Sequence, residues 1–143
     1  MIEKEPGRKG SIMNRWITLM AFFSIACGAM AAPSLDLSRC DSWTIVTPED
    51  AIPSERYAAQ EFQGLLKQAV GVDLPIVSVV SRAEGNIFIG FSPALRTAFP
   101  GFEIDGLGEE GLRIRIQANN IAIAGGRPRG TLYGVYEFME RYL

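Results

Sequence analysis

Residues 125–130 read Gly-Gly-Arg-Pro-Arg-Gly and separate a β-prone run, 121–124, from an amphipathic stretch that starts near Thr131. Three glycines and a proline in one short turn stop the strand and set where the helix begins, because glycine permits positive φ and close backbone approach while proline cannot donate to a ladder. Leu132, Val135, Tyr136, Met139 and Leu143 then recur at helical spacing. Burying such side chains contributes roughly 1.5–3 kcal/mol each as an upper bound, so this helix needs an apolar sheet to cover. The segment reads as the seam of a unit that leads into something larger.

The rest of the chain supplies that sheet. Leu112, Ile114 and Ile116 alternate with Arg113, Arg115 and Gln117, and Asn119 and Asn120 turn the chain into 121–124, the pattern of an antiparallel hairpin. Upstream, 43–47 is a short β-rich run ended by Pro48. Pro53 announces a helix to about Val70, with Ser54 expected as N-cap, Glu55 in the first turn and Gly71 as the stop. Ala58, Phe62, Leu65, Leu66 and Ala69 form its expected apolar stripe. The runs 74–80 and 86–90 are nearly continuous in hydrophobicity, which predicts two strands covered on both faces at the centre of the sheet. Between them and the hairpin, 91–111 is rich in glycine and proline, with Phe91, Leu95, Phe99 and Phe102 as anchors and a helical turn at 93–98. A connection that long points to function or disorder. The expected fold is α/β, bordering on α+β: a mixed sheet of about five strands with two main helices.

Composition narrows the chemistry. The 143-residue chain contains no histidine, which removes Ser/His/Asp triads, Cys/His pairs and imidazole ligands together. Net charge is -2 and the 14 Lys and Arg are scattered, so no basic footprint for nucleic acid exists. The two cysteines, Cys27 and Cys40, form no metal-ligand pattern, and neither a metal nor a cofactor is expected.

The chain opens with a leader. Asn14 and Arg15 precede an apolar run, 16–25, and small residues ending in the cleavage-like triplet Ala29, Met30, Ala31, the layout of a signal peptide for export to the periplasm or the extracellular space. Met13 is an alternative start, and Cys27 gives a minor lipid-anchor reading, the one route to a membrane besides the leader itself. The expected division is 1–32 as N-terminal extension and signal peptide, 33–42 as linker and 43–143 as the folded domain.

Few residues carry candidate chemistry. The stretch 125–131 reads G-x-x-x-x-G-T, one lysine short of a phosphate-binding loop, and it follows a hairpin rather than a βαβ strand; a close-packed turn is the plainer reading. Arg127 and Arg129 present planar forks of donors suited to a ligand, a carboxylate of a neighbouring domain or an internal partner. Glu55 with Glu61, and Glu137 with Glu140, lie on helices where solvent-facing charge is the default, not acid/base catalysis. Trp43, Tyr57, Tyr133 and Tyr136 could stack on sugar rings but sit at core or interface spacing. Arg127, Arg129 and Tyr133 are therefore the candidate contact residues, toward substrate or an adjoining domain.

Pro53, Ser54, Glu55, Tyr57, Ala58, Ala59, Glu61 and Phe62, then Leu65, Leu66, Gly71, Val72, Leu74, Pro75 and Ile76, then Ile87, Ile89 and Gly90, and the block 123–140, together resemble the N-terminal domain of bacterial alpha-glucuronidases. Similar domains stand beside the catalytic barrels of beta-N-acetylhexosaminidases and alpha-N-acetylglucosaminidases. The resemblance implies a hexosaminidase domain 2-like fold preceding a (β/α)8 barrel that carries the catalytic carboxylates. That barrel is expected after Leu143, so no catalytic residue is assigned to this chain. The implied role is a non-catalytic accessory domain of a secreted glycoside hydrolase acting on xylan-type polysaccharide. The alternatives are a stand-alone module that binds oligosaccharide or acts as a scaffold, and the N-terminal domain of a beta-N-acetylhexosaminidase-like enzyme.

Overall fold

The computed structural model describes residues 37–143; the leader, its cleavage triplet and Cys27 lie outside the described residues. Among the described residues no helix is long and apolar enough to cross a membrane. Five strands, β1 (Thr44–Val46), β2 (Ile76–Val77), β3 (Asn86–Ile89), β4 (Leu112–Gln117) and β5 (Asn120–Gly125), form one sheet in the order β2-β1-β3-β5-β4. β2, β1, β3 and β5 run parallel, and β4 joins β5 as the antiparallel edge. This is the α/β class read from the sequence.

Period-two alternation sorts the sheet into two cores. Ile45, Ile87, Ile89, Ile121 and Ile123 point to one face, which is covered by α1 (Pro53–Val70) and α3 (Gly130–Tyr142) through Ala58, Phe62, Leu66, Val135 and Phe138. Phe62 and Phe138 join the two helices, with ring centroids 5.5 Å apart. Val46, Phe88, Ala122 and Ala124 point to the other face, where α2 (Pro93–Ala98) and the chain after it bring Leu95, Phe99 and Phe102. The alanines of β5 leave room for these rings, and Phe88 meets Phe99 edge-on at 6.0 Å. The stretch 91–111, expected to be functional or disordered, instead builds this second layer, and its helical turn falls at 93–98 as read.

Several sequence expectations shift by a residue or a layer. Helix α1 begins at Pro53 with Ile52 in the N-cap position, so Ser54 is inside the first turn and its hydroxyl donates to Pro128 O at 2.5 Å. Ala59 is buried on α1 while Ala69 is exposed. Gly71 stops the helix with φ 78°, as expected. The run 74–80 is no central strand: β2 has two residues, lies at the edge, and leaves Ile76 and Val79 exposed. The crossover from β1 through α1 delivers β2 beside β1, after which the chain crosses to β3 on the other side. Within the stretch read as a linker, Leu37–Ser42 forms a 3-10 helix that sends Leu37 and Cys40 into the first core.

One glycine contact fixes the last helix. Its buried stripe is Thr131, Gly134, Val135 and Phe138, whereas Tyr136 and Leu143, expected inside, are exposed. The cause is Gly134: a Cβ there would stand 2.7 Å from Ile123 Cγ2, so the helix settles on the sheet at this residue and the stripe rotates with it. The hairpin turn uses Ala118 and Asn119, at φ 47° and 59°, the paired left-handed conformation that matches strand twist. Asn120 thereby opens β5, and its Oδ1 accepts the Asn86 N–H at 2.9 Å.

Gly126 tests how tightly the turn is packed. A Cβ at Gly126 would lie 1.4 Å from Gly108 O, whereas one at Gly64 in mid-helix meets nothing within 4 Å. Gly126→Ala should cost more than about 2 kcal/mol in denaturant unfolding, while Gly64→Ala should stabilise by up to about 1 kcal/mol.

Candidate functional site

The glycine-rich turn is closed by the loop before β4. Gly126 N–H donates to Gly111 O at 2.9 Å, Gly130 N–H to Glu109 O at 3.0 Å, and Gly125 N–H to Thr131 Oγ1 at 3.1 Å. Cβ atoms at Gly125 and Gly130 would fall 2.4 and 2.2 Å from Gly111 O. The glycines therefore serve close approach of two backbones, and Gly125, Gly126 and Gly130 are not among the positive-φ residues. The amides that a phosphate loop would turn toward its ligand are spent inside the fold, and the threonine hydroxyl is buried with them. This geometry is the close-packed turn, not a nucleotide cradle.

Arg127 leaves this turn to reach α1. Its Nε and Nη2 donate to Glu55 Oε1 and Oε2, both at 3.1 Å, the side-on bidentate geometry of a guanidinium on a carboxylate. Glu55 Oε2 also accepts the Ile52 N–H at 3.0 Å and so caps the start of the helix. The default of a solvent-facing carboxylate fails here: Glu55 is 1% exposed, the one buried carboxylate among the described residues. Its position three residues past the N-cap was the available signal, since a glutamate there bonds back to the cap amide.

The other candidates disperse. Arg129 Nη2 meets Glu110 Oε1 at 3.0 Å with both side chains about half exposed, a pair of small energetic weight. Tyr133 is half-buried on α3 and touches the turn through its backbone N–H, which donates to Arg129 O at 3.1 Å. Glu137 pairs with Arg141 on the surface of α3, and Glu140 is exposed. Of the three proposed contact residues, two thus hold internal carboxylates.

Sequence spacing did not foresee a second cluster where α1 meets α3. Tyr136 OH donates to Glu61 Oε2 at 3.1 Å, and Tyr57 lies one helical turn before Glu61. Hydrogen bonding to Glu61 and repulsion from its charge raise the Tyr57 phenol above the ordinary 10.0. Burial, then the same carboxylate, raises Tyr136. A separate cleft of about 390 Å³ opens where β1 and β2 end beside α1.

Two measurements follow. Replacing Arg127 with Met leaves the buried Glu55 carboxylate only its cap amide; because Arg127 is itself 47% exposed, the cost falls below that of a fully buried pair, at about 2 kcal/mol. The Glu55→Gln/Arg127→Met double variant should lose less than the sum of the singles by about 1 kcal/mol or more in a thermodynamic cycle. In a spectrophotometric titration, Tyr57 and Tyr136 should ionise above 10.0, and Glu61→Gln should bring Tyr57 down further than Tyr136. A raised phenol favours the folded state below the unfolded value near 10, and this contribution disappears as pH climbs through the raised one.

The sequence model described as Glycosyl hydrolase family 67 N-terminus matches residues 37–138. Two curated relatives, each described as probable alpha-glucuronidase A, come from Neosartorya fischeri and Aspergillus fumigatus. Each is 31% identical over 98 residues, which cover 67% of this chain and 12% of the relative. The chain thus spans about one eighth of the length of these relatives. The match begins at Leu37, where the 3-10 helix starts, and runs through all five strands to Phe138. With that extent of agreement, the chain belongs to the N-terminal domain family of the family 67 glycosyl hydrolases.

Proposed function

We propose that this chain is the non-catalytic accessory domain of an exported alpha-glucuronidase-type enzyme, packed against a catalytic (β/α)8 barrel and serving the breakdown of xylan-type polysaccharide. The observation that carries this reading is the commitment of Glu55. Glycoside hydrolysis needs two carboxyl groups facing across a sugar, one of them able to hand over a proton. Glu55 is the one buried carboxylate among the described residues, and it already accepts from Arg127 twice and from Ile52. It ties the first helix to the glycine-rich turn, and both of its oxygens are committed to those partners. Similarity to relatives described as probable alpha-glucuronidases supports the activity proposed for the larger enzyme. The apolar run 16–25 and the small residues after it support the proposed export.

The full chain, incubated with aryl α-glucuronides and aldouronic acids, should release no glucuronic acid. Turnover that Glu55→Gln abolishes would overturn the reading. Export is tested separately by fusing residues 1–42 to alkaline phosphatase in a bacterial host: activity should appear only when the secretion machinery is intact.

A further inference from the structure

A buried polar row crosses the sheet at the amino ends of three neighbouring parallel strands. Thr44 opens β1, Asn86 opens β3 and Asn120 opens β5, and all three side chains are buried. Thr44 is the register partner of Asn86, and Asn120 stands one position before Ile121, the partner of Ile87. Thr44 Oγ1 donates to Asn86 Oδ1 at 3.2 Å. Asn86 gives its backbone N–H to Asn120 Oδ1 at 2.9 Å, and its Nδ2 to the same oxygen at 3.2 Å and to Arg82 O at 3.0 Å. Asn120 Nδ2 donates to Ala83 O at 3.0 Å. Both side-chain amides are thus bonded at oxygen and at nitrogen, and each finds the other only because β3 and β5 are aligned as they are.

The apolar side chains do not dictate that alignment. A slip of one residue exchanges the two faces of a strand and is excluded by burial, but a slip of two keeps every side chain on its own face. Moving β3 two residues along β5 would set Ile87 against Ile123 and Phe88 against Ala124, in place of the observed Ile121 and Ala122. Isoleucine again meets isoleucine under α1 and α3, and phenylalanine again meets alanine beside α2. The polar row does distinguish the two alignments. After the slip Asn86 would lie against Ala122, which has no side-chain group to bond, and the donors of Asn86 would lose the oxygen that takes two of them. Buried donors and acceptors left without partners are costly, and a polar group inside an apolar core can select one arrangement by that cost.

We propose that Thr44, Asn86 and Asn120 form a register lock, which selects the observed alignment of β3 with β5 from the two that the apolar pattern admits. The lock fixes how far β3 reaches along β5, and so where Gly90 leaves the sheet, its N–H donating to Ile123 O at 3.0 Å.

The test reads the register of the isotope-labelled full chain from nuclear Overhauser contacts between backbone protons of β3 and β5. The native chain should give one set of signals, with Ile87 beside Ile121. Asn120→Val removes the acceptor that Asn86 uses, and should add a second set, about 5% of the total or more, with Ile87 beside Ile123. Asn120→Asp keeps an acceptor oxygen and should give one set. Phe138→Leu loosens the core away from the row and should also give one set, whereas a row that only added stability would make this variant behave like Asn120→Val. Should Asn120→Val not fold, the spectra are taken with Gly64→Ala added, a helix position where the new Cβ meets nothing within 4 Å. One alignment alone in Asn120→Val overturns the proposal, as does a second set in Asn120→Asp or in Phe138→Leu. Failure to fold even with Gly64→Ala overturns it too, since the row would then be needed for folding at all and not for choosing between alignments.

Discussion

Glu55 stands where three separated parts of the chain meet. Its carboxylate caps the first helix through the Ile52 amide and grips Arg127 from the glycine-rich turn. Next to it, Ser54 donates to Pro128 O and doubles the attachment. The turn held in this way is in turn bound to the loop before β4 through Gly111 and Glu109 carbonyls. A charge removed from water is tolerated only when its partners are complete, and here each oxygen of the carboxylate has at least one. The helix start, the turn and the hairpin are therefore placed relative to one another by the hydrogen bonds of one side chain, and α3 starts from that arrangement.

Much of this was legible from local sequence rules. The hairpin follows from alternation, the central strand at 86–89 from nearly continuous hydrophobicity, and the short helix after Ser92 and the stop at Gly71 from proline and glycine positions, signals that all act over a few residues. The pairing of Arg127 with Glu55 spans 72 positions and could be read only as one of three alternatives for the arginine. The rotation of α3 was missed for a similar reason: helical spacing gives two overlapping stripes, and the choice between them is made by the contact of Gly134 with Ile123 on another strand. Run 74–80 misled because β-branched residues mark a pleated surface without stating where in the sheet it lies. Only Leu74 from its start enters the core, and Gln63 fixes it by donating to Leu74 O.

The site picture divides along the same line. Two residues singled out for their charge, Arg127 and Glu55, bind each other, because an arginine beside a buried carboxylate satisfies it before any ligand does. Residues with quieter signatures, a threonine after a strand and a glutamine on a helix, line the cleft that topology opens at the carboxyl ends of the parallel strands. Family membership carries the relation to alpha-glucuronidases, and the interior of the domain explains why its one buried acid, Glu55, is occupied.

The two borders of the sheet are unlike each other, yet both discourage another strand from adding on. On one side, β2 exposes only two residues of backbone before the chain turns away. On the other, β4 alternates Arg113 and Arg115 with its core residues, and Arg115 is drawn over the Phe102 ring while donating to Pro100 O. Short length and positive charge are both ways of protecting unpaired ladder groups from other chains. A domain so finished at its margins can be carried within a much longer polypeptide without recruiting neighbouring copies into a growing sheet.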